Sequence, residues 1–212
     1  MAQDFDGSTS YIEATSAVVT AVPLTIAAWF NPDSATVGQT IVGVTASGAT
    51  NARFTLQCQS TGPLRAAVQA GATVAGADSS INITAATWQH GAAVFTSNTS
   101  RTAYLDGGNS GTNTTNVTPS AAALNRTTIG TQWRNQVREA FFGGLVAEVG
   151  IWNVALAASE VAALAQGFKP TQIRPNALVF YAPIIREIAD YARGITLNQN
   201  ATTVTPHHRR YG

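Results

Sequence analysis

The chain has one cysteine, Cys58, so no disulfide can close within it. It has little charge. Only 11% of its residues are Asp, Glu, Lys or Arg, well below the roughly one quarter of an ordinary soluble domain. It has three histidines, His90 and the tail pair His207 and His208, which is too few and too scattered for a zinc cluster. No apolar run approaches the roughly 18 residues that cross a bilayer as a helix, so no membrane insertion is expected. The opening MAQDFDGSTSYIEA lacks the basic region and apolar stretch of a signal peptide. A protein made and folded in the cytosol is the expectation. With a net charge of +1 there is no basic footprint for nucleic acid. No glycine-rich phosphate loop is present, and no Ser/His/Asp or Cys/His set has local support.

What is there is apolar, small and neutral. Hydrophobic residues make up 45% of the 212 residues, with 18 glycines and many Thr, Ser and Asn. That length suits one large sandwich, or a domain plus an extension. A neutral polar surface suits packing against other protein, because hydroxyls and amides cost less to desolvate than charges. The few charges are uneven. Asp4, Asp6, Glu13 and Asp33 stand in residues 1–33 with no basic partner, while Arg174, Arg186, Arg193, Arg209 and Arg210 outnumber Glu187 and Asp190 at the other end. The ends are candidates to pair, within one subunit or between neighbours. Chance in a charge-poor chain is the alternative.

The chain is organised around Phe142 to Leu164, FGGLVAEVGIWNVALAASEVAAL. Val149 and Ile151 alternate with Glu148 and Gly150, as in a strand with one buried face. From Leu156 the spacing changes: Leu156, Val161, Leu164 and Ala165 share a helical face. Ser159 is the expected cap of that short helix. Leu24–Phe30 alternates Leu24, Ile26, Ala28 and Phe30 on one side with Trp29, expected to be a core residue, on the other. Thr40–Val44 reads as a strand. Arg53–Gln59 reads as another, with Phe54, Leu56 and Cys58 on one face, where Cys58 is a small core hydrophobe. Trp88–Thr96 and Arg101–Gly107 read as a hairpin, with His90 a strand residue satisfied by backbone. Gly71–Ser80 and Asn109–Ala123 read as loops, as does Thr131–Ala140. That last loop brings Trp133, Arg134, Asn135 and Arg138 together, chemistry for stacking on a sugar or docking on a partner. A Trp folded back onto the sandwich is the competing view. After a linker at Lys169–Pro175, Leu178–Ile185 is a further strand. The tail His207, His208, Arg209, Arg210 and Tyr211 reads as an arm reaching a partner subunit, against a frayed end.

In order, these motifs resemble the laminin-G-like domains of the concanavalin-A-like jelly-roll superfamily. The resemblance is carried by FDG at Phe5, LTIAAW at Leu24, WQH at Trp88, AYLDG at Ala103, IG at Ile129, FGGLVAEV at Phe142 and the helix. It implies an all-β, antiparallel two-sheet sandwich with one short helix over 1–168, and a C-terminal extension, 169–212, that completes it. LVFYAP at Leu178 resembles the family's opening strand, so the last strand is expected where the first normally lies. Addition to a neighbour's sheet is the weaker alternative. In the family the loop after Ile-Gly lies at one rim and often contributes ligand contacts. Calcium is common in the family, but its usual acidic residue is Ala147 here. A carbonyl-rich site using Asp6 or Asp106 stays open.

Glycosidases share this fold, and retaining hydrolysis needs two carboxylates about 5–5.5 Å apart. The closing strand offers only Glu148, so no enzyme is expected. The leading expectation is a non-catalytic structural protein, a bacteriophage virion component decorating a capsid or tail on the virion surface and assembled in the host cytoplasm. Its partners would be neighbouring virion or like subunits, with a cell-surface glycan as a further ligand. The alternative is a lectin-like carbohydrate-binding module, cytoplasmic or extracellular, using the rim loop around Trp133 or the concave face of a sheet.

Overall fold

The computed structural model describes residues 2–185 and 187–205. Two antiparallel sheets face each other across one core. The first, of eight strands, runs β10-β9-β8-β3-β14-β1-β17, with β15 also on β14. Its centre is β3 (Leu24–Pro32), β8 (Gln89–Ser97) and β14 (Gly143–Trp152). Outside β8 lie β9 (Ser100–Leu105) and β10 (Gly108–Asn113). The other long edge of β14 is shared end to end by β1 (Ala2–Asp6) and β15 (Leu178–Ala182). The second sheet, of seven strands, runs β16-β2-β11-β4-β5-β6-β7. Its members are β2 (Tyr11–Ala14), β4 (Gln39–Thr45), β5 (Ala52–Cys58), β6 (Pro63–Ala70), β7 (Thr73–Asn82) and β11 (Arg126–Ile129), with β16 (Asn198–Asn200) at the edge.

Period-two alternation sets the faces. In β5, Phe54, Leu56 and Cys58 enter the core, and Phe95 of β8 meets Phe54 edge-on at 5.1 Å. Arg53, Thr55 and Gln57 point the other way. A smaller apolar layer covers the outer face of the eight-stranded sheet. There α1 (Ala158–Ala165) sets Val161 and Leu164 against Trp152, Ala92 and Val94. Its N-cap is Ala157, not Ser159: Glu160 accepts the Ala157 N–H at 2.7 Å, so a side chain from the first turn closes the helix end. None of the described helices is long and apolar enough to cross a membrane.

Two stretches read as loops are strands. β7 holds Gly71–Ser80 almost entirely, with Ala75 and Ala77 in the core, and β10 opens the Asn109–Ala123 stretch. Their residues are small because the two strands close one side of the sandwich. A Cβ on Gly111 of β10 would stand 1.9 Å from the Asp78 carbonyl of β7.

The opposite side is closed by the C-terminal segment. β15 lies in the chain's own sheet, continuing the line of β1 along β14. Beyond it, β16 pairs with β2 in one sheet, and β17 (Thr203–Thr205) pairs with β1 in the other. The two ends of the chain therefore do meet, but through backbone ladders. Among the described residues the acidic Glu13 pairs with Arg126 and Arg138, and the basic Arg174 with Glu160.

Candidate functional site

The outward side chains of the seven-stranded sheet form a polar face. Arg53 in β5 stands opposite Thr45 of β4 on one side and Gln69 of β6 on the other. All three are buried, at 6%, 0% and 5% exposure. None spends its full hydrogen-bonding capacity. Among the described residues, Thr45 Oγ1, Arg53 Nε and Nη1, and Gln69 Oε1 are buried and find no partner. Gln69 uses only its Nε2, on the Gly71 carbonyl at 2.8 Å. Burial draws the Arg53 pKa down to about 10, with Glu139 raising it and Arg134 lowering it, so the guanidinium stays charged at neutral pH. Buried polar atoms in folded proteins are nearly always paired. A contiguous row of unpaired ones in adjacent strands is unusual.

Beside this row folds the segment expected to be a loop. It is a two-stranded hairpin, β12 (Gln132–Arg134) and β13 (Val137–Glu139), turned at Asn135 and Gln136. Its base is tied by Thr40 Oγ1 donating to Gln132 Oε1 at 3.1 Å, and its tip by Asn51 Nδ2 donating to Asn135 Oδ1 at 2.8 Å. Trp133 Nε1 donates to the buried Glu13 at 2.6 Å. Arg138 donates to the other Glu13 oxygen at 3.0 Å and lies over both Tyr11 and Trp133, 3.9 and 4.3 Å from the ring centroids. The four expected binding residues thus divide. Trp133 and Arg138 form one stack around Glu13. Arg134 pairs with Glu139 at 3.4 Å, and Asn135 is spent on Asn51. Thr45, Arg53 and Gln69 were missed as a group. The alternation of RFTLQCQ already turns Arg53 outward, but its neighbours in the row come from other strands. The tail residues His207, His208, Arg209, Arg210 and Tyr211 lie outside the described residues.

Other candidate chemistry is occupied or neutral. His90 is buried edge-on to Trp29, ring centroids 5.5 Å apart, and Trp29 sits half-buried on the outer face of its sheet rather than in the core. The His90 backbone N–H donates to Asp106, but its side-chain Nδ1 has no partner among the described residues, unlike the backbone-satisfied histidine expected. Burial lowers its pKa to about 3, so the ring is neutral. Burial pushes the Cys58 thiol up and keeps it protonated. Glu148 sits at a bulge of β14 with φ +54°, where it accepts the Tyr181 hydroxyl at 2.6 Å.

The donors for calcium do not fit. Asp6 accepts the N–H groups of Ser8, Thr9 and Ser10 and the Thr9 hydroxyl, and Asp106 accepts from His90 and Gln89. Among the described residues, no three His, Cys, Asp or Glu side chains converge.

Solved structures of low sequence identity share the architecture. A native heptameric SAP-like pentraxin from Limulus polyphemus superposes with TM-score 0.64 at 17% identity, covering 95% of this chain and 92% of that one. Domain 4 of the arabinanase AbnA from Geobacillus stearothermophilus, solved with arabinotriose, gives 0.59 at 21%, covering 76% and 75%. The CBM40 of the Ruminococcus gnavus IT-sialidase, bound to α2,3 sialyllactose, gives 0.63 at 16%, covering 77% and 97%. No curated protein matches the sequence. The laminin-G-like family profile, described as the concanavalin A-like lectin/glucanases superfamily, matches residues 6–162. The chain belongs to that family.

Proposed function

We propose that this domain is a non-catalytic, lectin-like carbohydrate-binding module, with its ligand on the outer face of the seven-stranded sheet beside the β12–β13 hairpin. One observation carries the reading: the Thr45–Arg53–Gln69 row holds buried donors and acceptors with no partner among the described residues. Saccharides offer the matching hydroxyls at close spacing, and leaving such groups unmade costs more than pairing them gains. Two of the similar folds were solved with saccharides, arabinotriose and sialyllactose, which supports the same reading. The lone Glu148, engaged with Tyr181, supports binding rather than hydrolysis. The virion-component reading rests on the sequence, on its low charge, its uneven ends, its single cysteine, its opening without signal-peptide features and its tail, and has no observation on this face behind it.

A glycan array tests the proposal, with the double variant Thr45→Val/Gln69→Leu alongside. The wild type is expected to be retained on a defined set of glycans. The variant is expected to lose that signal while melting normally. A wild type retained on nothing, or a variant with the same array pattern, contradicts the proposal.

A further inference from the structure

The charge of the same face narrows the ligand, and this step rests on the carbohydrate-binding reading. We propose that the saccharide is acidic, and that its anionic group, a carboxylate or sulfate, seats beside Arg53 between Thr45 and Gln69.

Both carboxylates near the row are committed elsewhere. Glu13 is shared by Trp133, Arg138 and Arg126, and Glu139 by Gln132 and Arg134. Asp78, farther along the face, is engaged by Arg65. Four arginines, Arg53, Arg126, Arg134 and Arg138, therefore share two carboxylates. Among the described residues, Arg53 is the one with no hydrogen bond or ion pair to either, although the Glu139 charge acts on it at longer range.

The fold treats its other deeply buried arginine differently. Arg101 is 1% exposed, and although its Nε has no partner among the described residues, its Nη1 and Nη2 reach Asn113 Oδ1 and the carbonyls of Asn98 and Thr115 at 2.6–2.7 Å. That is a structural arginine with acceptors built around it. Arg53 has a comparable burial and no such acceptors. A buried charge without a partner is costly unless something supplies the opposite charge.

The row's chemistry also suits a sugar rather than a bare anion. Arg53 and the Thr45 hydroxyl donate toward the anion, and Gln69 Oε1 accepts from a neighbouring hydroxyl. A neutral saccharide could satisfy Gln69 and Thr45 but would leave the guanidinium without a hydrogen-bonded counter-charge.

Calorimetric titration with sialyllactose, sulfated lactose and lactose tests this, because the probes share one neutral parent. At least one acid probe is expected to bind about tenfold or more tighter than lactose, the scale of one charge-assisted hydrogen bond. Sialyllactose alone would identify a carboxylate, and sulfated lactose alone a sulfate. Arg53→Met is expected to bring the acid probe down to the lactose level, with its fold checked by melting. Arg53→Gln, which keeps a polar head without the charge, is expected to do the same and serves if the Met variant does not fold. Equal affinity for all three probes, binding of none, or an acid preference that survives both variants overturns the proposal. Retention of neutral glycans on the array, lost in Thr45→Val/Gln69→Leu, would leave the module reading standing while this one falls. An array that retains nothing removes both.

Discussion

Phe5 reaches the core only because residue 130 has no side chain. Gly130 has φ +80°, and a Cβ there would lie 2.4 Å from the Phe5 ring. Gly130→Ala is therefore expected to cost about 2–4 kcal/mol, measured by denaturant unfolding, from strain and overpacking together. Both residues belong to motifs visible in the sequence, FDG and IG. Their contact joins distant stretches and was not visible there. Asp6 of the first motif folds the Gly7–Ser10 turn beneath it. Burial opposes its charge, but hydrogen bonds from Thr9, Ser8 and Ser10 outweigh burial and hold the carboxyl well below the usual range. A lowered folded pKa means a contribution fully present above the unfolded value of about 4 and lost as pH falls below it. Asp6→Asn is expected to flatten the acid limb of a melting-temperature profile below about pH 4 and to change its slope little near pH 7. The two buried arginines are expected to separate by stability as well. Arg53→Met, removing a charge without acceptors, should leave stability unchanged or raise it by about 1–2 kcal/mol. Arg101→Met, taking a donor from Asn113 and from the carbonyls of Asn98 and Thr115, should lower it by about 2–4 kcal/mol. Matching losses in the two variants would show that Arg53 is structural.

The strands legible in the sequence are those with large inward side chains, such as Leu24–Phe30 and Arg53–Cys58. β7 and β10 carried no such signal. Ala75, Ala77 and Gly111 are kept small by the close approach of the two sheets at that side, a tertiary demand that masks strand propensity. The 131–140 segment was readable as a ligand-rim loop, but not as a hairpin. Its order comes from Glu13, Thr40 and Asn51, all far away in the chain. Trp133 is a tie in that hairpin. Trp133→Ala removes the donor from buried Glu13 and one wall of the Arg138 stack. A loss of about 2 kcal/mol in thermal or denaturant unfolding is expected. Unchanged stability would mean that the hairpin does not depend on the stack. The C-terminal strands give a second test at this scale. β16 and β17 cover the edges of β2 and β1 in different sheets. Ending the chain at Leu197 bares both edges, so the truncated protein is expected to melt lower and to self-associate. A truncated protein that melts like the full chain and stays monomeric would show that these strands add nothing.

For the molecule as a whole, the order of short motifs sufficed to place the chain in a two-sheet sandwich, because each motif marks a core strand or a turn. The binding face was far less legible. Its row is assembled from β4, β5 and β6, and what distinguishes it is missing hydrogen bonds, which depend on what lies nearby in space. The rim residues singled out from the sequence instead hold one another and their supports. The low overall charge also gains a local meaning. Few charges are available, and the basic excess of the 131–139 hairpin and the adjacent sheet stands over a row with unspent donors. The most direct measurement of the central claim is NMR shift mapping with a glycan that the array retains. The account predicts that the largest amide shifts fall on β4, β5 and β6 around Thr45, Arg53 and Gln69, and on the neighbouring hairpin. Largest shifts on the eight-stranded sheet, or at the edge formed by β16 and β17, would contradict it.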